Sequence, residues 1–139
     1  MTATIETVYV EPGMRTVRLR DLILFLVVET IIERDLAFIS VNLDSIHAAA
    51  HLLTEDLDRC GVPLTFLREM RVPYSREVSQ ALQHMTCYGV GLGDGDDFLT
   101  LDRRRAETLR VRLRRQLPEL VVIMLEMMIG RFSSSIIVL

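Results

Sequence analysis

The sequence of residues 74–101, YSREVSQALQHMTCYGVGLGDGDDFLTL, decides which fold class we expect for this chain. Its first half predicts a helix over residues 75–87, because apolar residues recur at the three- and four-residue spacing of one helix face. Those residues are Val78, Ala81, Leu82 and Met85. A short apolar strand follows Gly89, a glycine- and aspartate-rich turn covers Gly93–Asp97, and a second strand covers Phe98–Leu101. The stretch therefore predicts a helix followed by a β-hairpin.

Helical patterns dominate the rest of the chain. Residues 16–32 are apolar nearly all round a helix, which is typical of a central helix that its neighbours bury. Capping residues and apolar spacing predict four further helices, at 44–59, 64–70, 102–116 and 119–129, the last ended by Gly130. Asp44 or Ser45 is the expected N-cap of the first of these, and Asp102 that of the third. Residues 5–10 and 136–139 are β-prone, and residues 35–41 are either a connection or a short strand.

Length and pattern together predict a single domain over residues 1–139 that is mainly α with a small β-hairpin, an α+β fold. A chain of 139 residues is long enough for one ordinary hydrophobic core and short for two. We expect residues 1–14 to form an N-terminal arm or strand. Residues 118–139 form an apolar C-terminal helix and tail, which we expect to serve in assembly.

The chain is apolar for its size. Half of its residues are hydrophobic and its mean hydropathy is +0.29, which is high for a free-standing monomer that must face water. Either a partner or a second copy covers part of the apolar surface, or the core is simply rich in leucine and valine. Apolar runs such as Leu22–Val28 are much shorter than the ~20 residues that span a bilayer, so we expect no membrane partner.

Cysteine usage and the N-terminus indicate the compartment. Cys60 and Cys87 have no CxxC spacing, and no basic segment followed by an apolar run begins the chain as in a secretory signal. Cysteines in that setting are typical of reduced thiols. The expected location is therefore the cytoplasm.

The hairpin region resembles a known superfamily. Pro73-Tyr74-Ser75, followed by Glu77, Val78, Ala81, Leu82 and Gly89, and the closing run Phe98-Leu99-Thr100-Leu101 resemble the winged-helix superfamily. Within it they are similar to small prokaryotic defence-associated proteins such as Panacea-type antitoxin domains. The resemblance implies a winged-helix-like domain that binds DNA, neutralises a toxin or serves in assembly. The chain departs from the pattern at Val72, where glycine is usual.

Charge is distributed unevenly along the chain. Residues 29–58 carry seven acidic residues against Arg34 alone, a balance of −6, whereas residues 102–115 carry seven arginines against Asp102 and Glu107, a balance of +5. Several alternatives are open for the basic residues 102–115. They form a solvated face, they contact the acidic region within the chain or across a dimer, or they lie along a phosphate backbone. The net charge of −3 gives no separate argument for nucleic acid.

Two residue sets carry the alternative functions. The second hypothesis is a DNA-binding transcriptional regulator. The residues expected to contact bases are Arg76, Ser79, Gln80 and Gln83. The residues expected to contact phosphates are Arg103, Arg104, Arg105 and Arg110. A small metal-dependent enzyme is the third reading, because His47, His51 and Glu55 are one helical turn apart and are metal-ligand types. No catalytic motif is recognisable, so we expect no catalytic residues and no cofactor.

The leading hypothesis is a non-catalytic protein-interaction subunit. A methionine-rich helix that is apolar all round, near the end of the chain, is typical of a surface that a partner or a second copy covers. The expected interface residues are Leu120, Ile123, Met124, Met127, Met128 and Phe132. The resemblance adds the expectation of a bacterial or phage assembly in a defence or toxin–antitoxin context.

Overall fold

A computed structural model of the chain describes residues 17–67, 72–85, 91–92 and 98–136. In chain order the elements are α1 (Leu19–Glu33), β1 (Phe38–Asn42), α2 (Leu43–Leu52), α3 (Thr54–Arg59), α4 (Arg76–His84), β2 (Gly91–Leu92), β3 (Phe98–Asp102), α5 (Arg103–Gln116) and α6 (Glu119–Ser135). The fold is mainly helical with one small antiparallel sheet, which confirms the predicted class at this level. The predicted arm at residues 1–14 and the turn at Gly93–Asp97 lie outside the described residues.

Helix α1 is the centre of the core, as predicted. Every residue from Asp21 to Ile31 is buried, because α4, α5 and α6 all pack against it. The polar side chains on such a helix need partners inside the protein. The hydroxyl of Thr30 donates to the carbonyl of Leu26 at 2.8 Å, and Glu29 binds arginines of α5.

The three strands pair in the order β1-β3-β2, and both pairings are antiparallel. Phe38 lies opposite Asp102, and Gly91 lies opposite Thr100. Alternate residues of β1 and β3 are buried in the core: Ile39, Val41, Leu99 and Leu101. The predicted hairpin is therefore confirmed in its two strands, and residues 38–42 form a strand rather than a connection.

The helix predicted over residues 44–59 begins earlier and is divided in two. Asn42, not Asp44 or Ser45, is the N-cap, and its side-chain oxygen accepts from the backbone N–H of Ser45 at 3.1 Å. The division falls at Leu53, between α2 and α3. The hydroxyl of Thr54 donates to the carbonyls of Ala50 and His51, and this type of back-bonding is known to bend helices.

The short helix predicted at 64–70 is wrong within the described part of that range. Leu67 instead forms an isolated antiparallel bridge with Tyr74, and its N–H donates to the carbonyl of Tyr74 at 2.9 Å. The N–H of Thr65 donates to the carboxylate of Glu77 at 3.0 Å. These long-range hydrogen bonds hold the segment extended beside the start of α4.

Gly130 does not end the last helix, contrary to the prediction. Helix α6 continues to Ser135, because Phe132 and Ser133 beyond the glycine are buried against the core. Burying a phenylalanine contributes about 1.5–3 kcal/mol, which exceeds the cost of about 1 kcal/mol for glycine inside a helix. Ile136 follows as an extended C-cap, so the strand predicted at 136–139 is described only at its first residue.

Two ion pairs and one hydrogen bond indicate the relative directions of α1, α5 and α6. Arg114 lies beside Glu29 of α1, while Arg103 at the other end of α5 pairs with Asp35, just beyond the C-terminus of α1. Helix α5 therefore runs antiparallel to α1. Arg34, just beyond the C-terminus of α1, donates to the carbonyl of Ser133 near the C-terminus of α6. Helix α6 therefore runs parallel to α1.

Candidate protein-interaction surface

One face of α6 is apolar and open to solvent. Leu120, Ile123 and Met127 are 61%, 48% and 76% exposed, and they lie three and four residues apart, which places them on one line along the helix. Gly130 and Ser134 continue this spacing and are also exposed. We call these five residues the exposed stripe.

The opposite face of α6 belongs to the core. Val121, Leu125 and Ile129 are buried there together with Met128 and Phe132, each of which is 1% exposed. The prediction that Met128 and Phe132 form an interface is therefore wrong, because the chain's own helices α1 and α2 cover that side of α6. Met124 is half-buried at the boundary between the two faces.

Among the residues that the structure describes, no neighbouring element packs against the position where a side chain of residue 130 would begin. A Cβ atom built on Gly130 would find no other atom within 4 Å, apart from the helix's own nearby backbone. Glycine inside a helix costs about 1 kcal/mol relative to alanine. The described core therefore does not require a glycine at this position in the exposed stripe.

The two edges of the exposed stripe carry opposite charge. Glu119 and Glu126 lie along one edge, and the carboxylate of Glu126 accepts from Arg114 of α5 at 3.1 Å. Arg131 lies along the other edge and binds Asp56 of α3 at 3.0 Å. Helix α5 therefore borders the acidic edge, and α3 borders the edge that carries Arg131.

The basic helix α5 meets the acidic region within the chain. Glu29 is buried, and its two carboxylate oxygens bind Arg110 at 2.8 Å and Arg114 at 3.1 Å. The guanidinium of Arg114 also lies over the ring of Phe25, 5.1 Å from its centroid, where a cation–π contact stabilises it. This intramolecular pairing accounts for part of the arginine block.

The predicted phosphate-binding arginines are divided between two sides of α5. Arg103 pairs with Asp35 and with Glu107, and Arg110 pairs with Glu29, so both hold the fold together. Arg104 and Arg105 are exposed. They border an open groove of about 470 Å³ with the following residues: Asp102, Thr108, Leu109 and Arg112.

Helix α4 presents its predicted base-reading residues toward solvent. Arg76, Gln80 and Gln83 are exposed, and Ser79 is half-buried. The carboxylate of Glu77, beside them, accepts hydrogen bonds from other residues of the chain. The backbone N–H of Thr65 donates to its carboxylate and so holds the pKa of Glu77 below its ordinary value, helped by the hydroxyl of Ser75 at 2.8 Å.

The predicted metal ligands do not come together. His47 is buried, its Nδ1 accepts from the backbone N–H of Ser75 at 3.1 Å, and its ring stacks on Tyr74 with 4.7 Å between centroids. His51 is exposed and contacts the edge of Phe66. The described residues contain no group of three or more histidine, cysteine or carboxylate side chains placed to hold a metal ion.

His47 instead connects α2 to the start of α4. Burial lowers the pKa of His47 below 6.5, although the nearby charge of Asp44 opposes that change. The neutral ring is the form that accepts a hydrogen bond at Nδ1. Ser75 in turn is the N-cap of α4, as predicted, and accepts from the N–H of Val78. Sequence reasoning missed this link, because nothing in the pattern pairs residues 28 positions apart.

Cys60 is not poised as a nucleophile. It is buried, and burial raises the pKa of its thiol to about 11, to which the charge of Asp56 adds. A thiol in that state is nearly all protonated at neutral pH, whereas the thiolate is the reactive form. Cys60 therefore acts as a small core residue.

None of the helices in the described part of the chain is both long enough and apolar enough to cross a bilayer. Comparison with known proteins found no matching family model, no matching curated protein and no matching solved structure. The winged-helix resemblance therefore stays a prediction.

Proposed function

We propose that the chain is a non-catalytic protein-interaction subunit that associates with a second copy through the exposed stripe of α6. The observation that carries this proposal is the exposure of Leu120, Ile123 and Met127 on one line of a well-packed helix. Three large apolar side chains aligned in this way are unfavourable in water and are typical of a surface that another chain covers.

The composition of the chain supports the same proposal. The hydropathy is high although the core is already filled, so the remaining apolar residues lie on the surface. Three of the eight large apolar residues that are exposed in the described part of the chain are aligned on α6, and this alignment distinguishes them from the scattered surface leucines that every soluble protein carries. The charged edges of the exposed stripe also fit a typical interface, which has an apolar centre and a polar rim.

Light scattering on matched variants tests the proposal. Ile123→Arg places a charge in the centre of the exposed stripe, whereas Val72→Arg places the same charge at an exposed position just before α4, away from α6 in sequence. We expect the unmodified chain and Val72→Arg to have a mass above 15.9 kDa and Ile123→Arg to have the monomer mass. A monomeric unmodified chain with normal solubility would overturn the proposal.

DNA binding is the second candidate, and the order of the elements favours it. The chain order is helix α1, strand β1, helices α2, α3 and α4, and then strands β2 and β3, with a β1-β3-β2 sheet, and this order supports the winged-helix resemblance. In that arrangement α4 is the recognition helix. Its Arg76, Gln80 and Gln83 are exposed, and side chains of these types can hydrogen-bond to base edges.

Fluorescence anisotropy with a random DNA duplex tests this candidate at low and moderate salt. Binding that weakens with salt and is reduced by Arg76→Glu, but not by Arg59→Glu on α3, would support it. Electrostatic attraction is strongest at low salt. A chain that does not bind the duplex under that condition is not a DNA-binding protein of this kind.

A further inference from the structure

The charges beside the exposed stripe determine how two copies lie against each other. Any inference about orientation rests on the proposed self-association. Two copies related by a two-fold axis present the same patch to each other, so the α6 helices run either parallel or antiparallel. The two arrangements bring different edges of α6 together, and the charges on those edges distinguish them.

The exposed stripe has the spacing of a coiled-coil seam. Leu120, Ile123, Met127, Gly130 and Ser134 alternate steps of three and four residues, which are the a and d positions of a heptad. Counting from Leu120 as a, Glu119 and Glu126 occupy g positions and Arg131 occupies an e position. In such seams the e and g residues set partner choice and orientation.

A parallel pair brings unlike edges together. The g edge of each helix then faces the e edge of the other, so Glu126 lies near Arg131 of the second copy. An antiparallel pair brings the g edge against the g edge, so carboxylates of Glu119 and Glu126 face one another. Like charges placed together disfavour the antiparallel arrangement.

The neighbouring helices strengthen this choice. Helix α5 borders the acidic edge and carries seven arginines against Glu107, a balance of +6. Helix α3 borders the other edge and carries Glu55, Asp56 and Asp58 against Arg59, a balance of −2. A parallel pair places basic α5 beside acidic α3 of the second copy, whereas an antiparallel pair places α5 beside α5.

We infer that the second copy packs in parallel, with the exposed stripe of α6 against the same stripe and basic α5 facing acidic α3 across the two-fold axis. A stable interface buries about 800 Å² on each partner, which is more than one short helical seam provides. The contacts of α5 with α3 on both sides supply the additional area. Gly130 then faces its own counterpart, where the missing side chain lets the helices approach closely.

Disulfide trapping tests the orientation. Leu120→Cys and Ser134→Cys are made separately in a Cys87→Ser background, with Cys60 kept because it is buried. In a parallel pair each new cysteine lies beside its own counterpart, so mild oxidation gives a covalent dimer with either variant. In an antiparallel pair with Ile123 opposite Met127, residues 120 of the two copies are about 15 Å apart along the axis, beyond the reach of a disulfide.

A third variant, Gly130→Cys, is mixed with a Leu120→Cys chain that carries a tag, so that self-linked and mixed dimers differ in mass. Three outcomes can then be distinguished. Self-linked dimers of Leu120→Cys and of Ser134→Cys support the parallel pair if the control Val111→Cys on α5 forms disulfide-linked dimers at least about tenfold more slowly. A mixed dimer of Leu120→Cys with Gly130→Cys, without self-linked Leu120→Cys, overturns the orientation and leaves self-association standing. Monomeric chains without cross-links overturn both.

Discussion

Helices α1 and α6 are alike in sequence and different in environment. Both are apolar nearly all round, yet α1 is buried from Asp21 to Ile31 and α6 leaves Leu120, Ile123 and Met127 in water. The difference lies in the neighbours among the described elements: α4, α5 and α6 surround α1, whereas α1 and α2 pack against one side of α6. An apolar helix thus indicates that something covers it, and the fold decides whether that cover comes from the same chain.

Removing a large side chain from each helix should destabilise the chain to very different extents. Phe25→Ala in α1 empties a fully buried site and should lower the free energy of unfolding by about 3–5 kcal/mol. Met127→Ala in α6 should change the stability of the monomer by less than about 0.5 kcal/mol. Urea unfolding at low protein concentration measures both. Equal losses would show that α6 is covered as completely as α1.

The second comparison concerns charge. Glu29→Gln in α1 leaves Arg110 and Arg114 without their buried carboxylate, so we expect a loss of about 3 kcal/mol. Glu126→Gln in α6 removes an exposed partner of the same Arg114 and should cost less than about 1 kcal/mol. Urea midpoints of the two variants test the difference. A mild Glu29→Gln variant would mean that its ion pairs contribute little to the core.

The third prediction concerns α2, the helix that covers the inner side of α6. The pKa of His47 is lowered in the folded chain, so between that pKa and about 6.5 the unfolded chain binds more protons. The free energy of unfolding should therefore fall as pH falls below about 6.5. His47→Asn keeps a hydrogen-bond acceptor near Ser75 without a titrating ring.

The pH dependence is measured as urea midpoints of both proteins between pH 7 and pH 5. The parent should lose more stability over this range than His47→Asn does. His51 and His84 are present in both proteins, so the difference between the two curves isolates His47. Parallel curves would show that the ring of His47 is not held neutral by burial.

The smallest effect expected is at Gly130. Gly130→Ala should raise the free energy of unfolding of the monomer by up to about 1 kcal/mol, because alanine favours a helix and its methyl group would meet no atom of another described element within 4 Å. Thermal unfolding at low concentration measures the gain. A loss of stability would show that a neighbouring segment packs closely on this side of α6.

The sequence predicts those parts of the fold that depend on local pattern. The burial of α1, the N-caps Ser75 and Asp102, and the two hairpin strands follow from apolar spacing and capping residues. Interactions between distant residues are not visible in such patterns. The extended segment ending at Leu67 depends on Glu77 and Tyr74, and a local reading therefore predicts a helix there.

The candidate surface was predictable only in part. Helix α6 carries apolar residues on all sides, so its sequence cannot separate Met127, which is exposed, from Met128, which is buried. That distinction depends on where α1 and α2 lie. The sequence likewise leaves several partners open for the arginines of α5. That Arg110 and Arg114 bind Glu29 depends on how α5 lies against α1.

Sedimentation of the unmodified chain over a dilution series from about 100 µM to about 1 µM measures whether two copies associate. If a second copy covers the exposed stripe of α6, the mass should fall from twice 15.9 kDa toward 15.9 kDa on dilution. A single species of 15.9 kDa at every concentration would contradict the claim.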